Sequence, residues 1–365
     1  MRIDVTKTYL PPLEEYVSLL EDIWECGHIT NGGAFVRELE QGLSERFDTR
    51  YVAAVANGTL ALQLGLDALG ITEGEVITTP FTYVATVSSI LWQRCRPVFA
   101  DIDPQTLNMD PQRLERLITS RTRAILPVHV FGIPCAVDEI AAIAQDKQLP
   151  VIYDASHAFG VRYRGRSLLS YGDLSTCSFH ATKLFHTAEG GCVATDDSTV
   201  FERIELVRRF GHNDDDHSRL GINAKLSELH AALGLVNLRH LPKLVEARRQ
   251  LSDRYDARLA ASLRAGLLQR PLIPAETTYN YAYYPILTAS EGQARGILDT
   301  LARQDIFPRR YFYPSLNRLP YVLTSDACPV SDDVSRRILC LPLSHALTES
   351  EQDMICEGIL EVVGR

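Results

Sequence analysis

A chain of 365 residues that is 45% hydrophobic, with a formal net charge of −9, has material for a large core and for more than one domain. Its 37 Lys and Arg against 46 Asp and Glu gather into no basic stripe, which argues against a nucleic-acid partner, since sequence-independent affinity there rests on cation density. No uncharged stretch is long enough to span a bilayer, the opening residues lack a signal-like apolar core, and the eight cysteines include no CxxC pair; a reduced, cytoplasmic chain with no membrane partner is expected.

In chain order, Phe35, Leu39, Leu43 and Phe47 recur every four residues and predict a helix with one buried stripe. "YVAAVANG" reads as a short apolar strand ending in a turn, and "TLALQLGLDALGI" as a helix stopped by Gly70. The runs "EVITTP", "RPVFADI", "RAILPVHV" and "LPVIYDAS" follow as strands, separated by helical "TVSSILWQ", "PQRLERLITS" and "VDEIAAIAQDKQ". Apolar strands alternating with helices predict an α/β fold whose mainly parallel sheet is covered on both faces. After Gly191 come a helix in "STVFERIELVRRFG" and a second from "LSELHAALGLVNLRHL" that continues past Pro242, with a kink. From about Pro271 the pattern turns α+β, so the expected division is a large domain over 1–240 and a small C-terminal one over 241–365.

Three strand ends carry chemistry-bearing residues, where α/β sheets collect ligands. Gly58-Thr59 leads straight into a helix, and free first-turn N–H groups there make a seat for an anion, although most such turns are only caps. Asp154 closes an apolar strand, where an ionised carboxylate needs a partner, or simply caps the next turn. "SFHATKLFHTAEGG" holds Lys183 between a strand and a glycine-rich turn, with Ser178 five positions before it. Each has an ordinary structural reading. Together they offer an anion seat, a carboxylate and an amine in the order that pyridoxal 5'-phosphate would need.

These blocks, with "ITNGGAFVRELEQGL", "NGTLALQLGLDALGI", "PFTYVATVSSI", "VIYDASHAFGVRYRGRSL" and "GINAKLSELHAALGL", closely resemble the sugar-nucleotide aminotransferases of the DegT/DnrJ/EryC/StrS family, along nearly the whole chain. The resemblance implies a fold type I architecture, aspartate aminotransferase-like, with pyridoxal 5'-phosphate as cofactor and its pyridoxamine form as intermediate. It makes Lys183 the lysine that condenses with the cofactor and Asp154 the partner of the ring nitrogen. Tyr83 stands where the family stacks an aromatic on the ring. Thr59, the backbone around Gly58 and Leu60, and Ser178 fall at the phosphate seat, and Asn223 would reach the phosphate from the neighbouring subunit of a homodimer with shared active sites. Two positions depart from the pattern: His157 where Gln is usual, and Ala188 in place of the first glycine of Gly-Glu-Gly-Gly.

Lysine at 183, rather than the histidine of sugar-dehydrating relatives, favours transamination. "SFHATKLFHTAEGG", "VIYDASHAFGV" and "RRYFYPSLNRLPYV" look most like the branch that aminates C4 of a nucleotide-linked sugar, dTDP-4-keto-6-deoxyglucose, with glutamate as donor. Amination of a 3-keto sugar and a non-catalytic sensor are the alternatives. Arg309, Arg310, Tyr311 and Tyr313 offer cations and flat rings for a nucleotide diphosphate, or else a packing cluster; Thr30 and Asn31 are candidates for the sugar pocket.

Overall fold

The structure, a computed structural model, describes residues 2–213, 215–323 and 326–364. Seven strands form the central sheet: β1 (Tyr51–Val55), β2 (Glu75–Thr78), β3 (Arg96–Phe99), β4 (Thr122–Leu126), β5 (Ile152–Asp154), β6 (Leu174–Ser178) and β7 (Gly191–Thr195). Their spatial order is β1-β7-β6-β5-β4-β2-β3, with single parallel bridges Ile125–Val151 and Val128–Asp154 joining β4 and its extension to β5. Six strands run parallel. Only β7 is reversed, pairing Gly191 with Val55 on one side and with Ser178 on the other. The strands are short and nearly all buried, as a sheet covered on both faces requires.

The connecting helices are α1 (Leu13–Cys26), α2 (Ala34–Phe47), α3 (Gly58–Ala68), α4 (Ala85–Trp92), α5 (Pro111–Leu117), α6 (Val137–Lys147) and α7 (Ser198–Val207). The stripe expected on α2 is present, with Val36 joining Leu39, Leu43 and Phe47 on the buried face while Phe35 is only half-buried. The N-terminus of α2 is closed from a distance: the buried Glu228 carboxylate accepts from the N–H groups of Phe35 (2.9 Å) and Val36 (3.1 Å). A negative group there also complements the helix dipole.

Glu228 itself opens α8 (Glu228–Arg258), 31 residues long with Pro242 inside it. One continuous helix therefore crosses position 240. Beyond it lie α9 (Ala260–Arg264), α10 (Glu291–Ala302) and α12 (Glu349–Val363), packed with the antiparallel strands β8 (Leu268–Gln269), β9 (Tyr284–Thr288) and β10 (Ile338–Leu341) around a separate apolar core, while α11 (Pro329–Arg337) turns Val334 into the larger core. The first residues belong with this half in space, because Ile3–Asp4 pair parallel with Ile306–Phe307. Seven of the eight cysteines are buried, Cys26 alone being exposed. Among the described residues no helix is long and apolar enough to cross a membrane.

Candidate active site

The carboxyl ends of β1, β6 and β5 and, because it runs backwards, the first residue of β7 meet at one edge of the sheet. Here Asn57 caps α3, its Oδ1 accepting from the Leu60 N–H at 2.9 Å. Leu60, expected among the phosphate ligands, thus has its amide already engaged, and the Gly58 and Thr59 amides are left without an intrahelical acceptor. A Cβ on Gly58 would stand 2.7 Å from Ser178 Cβ, and one on Gly191 would stand 2.8 Å from the Gly58 nitrogen and from the Cys177 carbonyl oxygen. Two glycines therefore let three strand ends close together with the Ser178 side chain at the wall, and the free Gly58 and Thr59 amides there are donors of the kind a phosphate takes.

Asp154 is 5% exposed. Its Oδ2 accepts from Thr86 Oγ1 at 2.9 Å and its Oδ1 from the Ser156 N–H at 3.1 Å. Among the described residues it has no ion pair within 4.0 Å, so a buried carboxylate stands ready for a cation such as a protonated pyridine nitrogen. Amide donors and carboxylate together fit pyridoxal 5'-phosphate.

Lys183 sits on the loop that returns from β6 to β7. Phe185, stacked on Phe159 at 4.2 Å, roots this loop in the core. His186 Nε2 donates to the Tyr9 carbonyl (2.7 Å) while Nδ1 accepts from the Ala188 N–H, and Asn237 of α8 donates to the His186 carbonyl at 2.9 Å. Ala188 occupies the left-handed region with φ 65°, the position where the family pattern has glycine. Burial lowers the Lys183 ammonium below its ordinary value, and Asp154, then Cys177, Tyr311 and Tyr83, pull it partly back up.

His157 is 7% exposed and accepts at Nδ1 from the Phe131 N–H (3.1 Å). Its ring lies parallel to Phe312 at 5.7 Å and packs on Tyr283 at 4.8 Å. Burial, then the nearby Lys183 charge, push it well below the ordinary histidine range. The neutral ring, with Nδ1 used as acceptor, carries its proton on Nε2 and can donate there.

Tyr83, 59% exposed, lies two residues before α4. Tyr311 packs on Phe312 and Tyr283, and burial, followed by the neighbouring Tyr283, raises its phenol above the ordinary range while Lys183 opposes this. Arg310 and Tyr313 are placed differently: the guanidinium lies 3.4 Å over the Tyr313 ring and pairs with Glu291 at 3.3 Å. The arginine expected to meet a diphosphate already has a carboxylate partner within the chain. Thr30 and Asn31 lie in the exposed loop between α1 and α2, and Asn223 is exposed, its Oδ1 accepting from Lys225 Nζ at 2.9 Å. No hydrogen bond or ion pair joins these three to the lysine loop among the described residues.

With this geometry in place, comparison with known proteins is decisive. The DegT/DnrJ/EryC1/StrS aminotransferase family matches residues 13–360. The chain belongs to that family. It is 40% identical, over 99% of both chains, to a dTDP-4-amino-4,6-dideoxy-D-glucose transaminase of Shigella dysenteriae, and 37% identical, over 95% of both, to one of Escherichia coli. Among solved structures it superposes with a TM-score of 0.94 on DesI in the presence of its TDP-sugar product, at 29% identity and covering 100% of this chain and 93% of that one. NtdA of Bacillus subtilis with bound PMP gives a TM-score of 0.89 at 28% identity, covering 97% and 82%. As a member of the DegT/DnrJ/EryC1/StrS family the protein is a pyridoxal 5'-phosphate-dependent sugar-nucleotide aminotransferase of fold type I.

Several residues of this aminotransferase site were only faintly marked, or unmarked, in local pattern. Asn57, Thr82, Thr86, Tyr283 and Phe312 all brace the predicted groups. The threonine pair at i and i+4 in the otherwise apolar "PFTYVATVSSI" is the one visible clue, since polar residues one turn apart in a buried stretch need partners.

Proposed function

We propose that the protein transfers the amino group of L-glutamate to C4 of dTDP-4-keto-6-deoxy-D-glucose, giving dTDP-4-amino-4,6-dideoxy-D-glucose. The observation that carries this reading is the presence of Lys183 and Asp154 in a chain alignable end to end with two transaminases named for that product. Bound pyridoxal 5'-phosphate would supply an aldehyde and an electron-withdrawing ring. The Gly58 and Thr59 amides with Ser178 would hold its phosphate, Tyr83 would cover one ring face and Asp154 would keep the ring nitrogen protonated. His157 would donate from Nε2 to the ring oxygen.

Lys183 Nζ has two tasks. It would hold the cofactor through its aldehyde and, as a free amine, would take the proton from the donor α-carbon and hand it on. A lowered basicity suits that work, because an amine of ordinary pKa would be almost wholly protonated near neutrality. The second half runs in reverse on the keto sugar.

The nucleotide end of the sugar would extend toward Tyr313, which lines a cavity of about 380 Å³ with Ser315, Arg318, Asp332, Ser335 and Arg336, where Arg318 pairs with Asp332 and Arg336 is the further cation. The exposed Asn223, Thr30 and Asn31 support a homodimer in which each chain completes its partner's site, working in the cytoplasm. The proposed division is into a large cofactor-binding α/β domain over 1–240 and a small C-terminal α+β domain over 241–365, with α8 running across the boundary.

The test is an assay with glutamate against a panel of nucleotide-linked 3-keto and 4-keto sugars, with NMR of the product. Amination at C4 of the dTDP-linked 6-deoxy sugar is expected; turnover confined to 3-keto substrates would overturn the assignment. Lys183→Ala should lose both the visible absorbance of the bound cofactor and turnover, and a variant transaminating near the wild-type rate would refute the role of the lysine.

A further inference from the structure

Thr82 and Thr86 flank Tyr83 one helical turn apart, and both are buried, at 2% and 0% exposed. Thr86 Oγ1 lies 2.9 Å from Asp154 Oδ2, and Thr82 Oγ1 lies 3.1 Å from Thr86 Oγ1. Distance alone leaves the donor in the threonine pair open, but the charge at the end of the chain decides it. An ionised carboxylate can only accept, so the Thr86 proton goes to Asp154. The Thr86 oxygen is then the acceptor for the Thr82 proton. The result is a directed relay, Thr82 to Thr86 to Asp154, whose bonds strengthen one another in a buried site.

We propose that Thr86, backed by Thr82, is a positioning residue that holds Asp154 in the orientation and charge state needed to pair with the cofactor's ring nitrogen. This rests on the cofactor reading given above. The backbone of Asp154 is already fixed, its N–H donating to the Pro127 carbonyl and its carbonyl accepting from the His129 N–H. What remains free is the side-chain torsion, and two donors, Ser156 N–H on Oδ1 and Thr86 on Oδ2, set it. Removing the Thr86 hydroxyl leaves a buried carboxylate oxygen without its donor, so the group turns away or takes up a proton, and either outcome deprives the pyridinium of its counter-charge. Removing the Thr82 hydroxyl leaves the bond to Asp154 intact but weakened. The same two hydroxyls bracket Tyr83, so the carboxylate below the ring and the aromatic expected above it are tied to one helix start.

The holoenzyme separates hydroxyl from methyl at this position. Thr86→Val keeps the shape and loses the donor, and Thr86→Ser keeps the donor and loses the methyl. Thr86→Val is expected to move the pH midpoint of the bound cofactor's visible band by at least about half a pH unit and to weaken cofactor binding roughly tenfold, as befits a lost hydrogen bond to a charged group. Thr86→Ser should titrate and bind like the wild type, with Thr82→Val between the two. A Thr86→Val enzyme that titrates and binds like the wild type overturns the relay, as does a Thr86→Ser enzyme that behaves like Thr86→Val, since packing would then be the cause. Should Thr86→Val fail to fold, an unshifted Thr82→Val midpoint overturns it equally. Wild-type protein that takes up no pyridoxal phosphate would instead overturn the cofactor reading, and the relay's purpose with it.

Discussion

His157 shows how a single substitution within a family pattern can keep one chemical ability and discard another. A glutamine at this place donates through an amide and never titrates. The imidazole could titrate, yet the Phe131 N–H on Nδ1 and the parallel rings of Phe312 and Phe131 fix it as a neutral Nε2 donor. Its depressed basicity puts its protonation well below pH 6.5, so it should contribute no limb to the activity profile near neutrality. His157→Gln is expected to keep turnover within about threefold of wild type with an unaltered pH profile, and His157→Leu to lose roughly tenfold, the value of one hydrogen bond in a buried site. A wild-type profile with a limb near 6.5 that vanishes in His157→Gln would contradict this. At this scale the sequence was informative about groups that react, because lysine, aspartate and an aromatic at strand ends are costly unless used. It was silent about Tyr283 and Phe312, which are more than 120 residues from His157 in the chain and meet it only after folding.

The loop between β6 and β7 is the element on which the amine depends. Ala188 sits there at φ 65°, a conformation that costs an L-residue about 1 kcal/mol relative to glycine, partly offset by the greater freedom of glycine in the unfolded chain. Ala188→Gly should therefore leave activity intact and raise stability by about 0.5 kcal/mol in urea unfolding; a loss of stability would show that the loop is not strained. Gly58 and Gly191 show the opposite constraint, since a side chain at either meets its neighbours at 2.8 Å or closer. Strand existence was legible here from short apolar runs, and so was the extent of α8 past Pro242. The reversed direction of β7 was not, because a period of residues along the chain carries no information on which way a strand points in the sheet. The cap that Glu228 places on α2 was hidden for a related reason: its partners lie some 190 positions away.

For the molecule as a whole, buried neutral histidines set a limit in acid. His129 is fully buried and pushed down to about 3, and His157 and His186 are lowered by burial as well. In the unfolded chain each takes up a proton near pH 6.5, while the folded chain resists it. Below that pH the unfolded state binds more protons and stability falls, the loss ending for His129 only near pH 3. Between pH 6.5 and 5 the linkage amounts to about 2 kcal/mol for His129. Urea unfolding across that interval should show the decline, and His129→Gln should flatten it; an equal slope in the variant would exclude the histidine as its source.

At about 46 Å, one and a half ångström for each of its 31 residues, α8 is also the longest helix among the described residues. Near one end Asn237 grips the loop that bears the amine, and farther along Arg248 and Tyr255 clasp the carbonyls of Ala282 and Pro342 in the opposite half. A rod clasped at both places behaves as a lever arm. A displacement of the carboxyl-terminal half would therefore reach the Lys183 loop through α8.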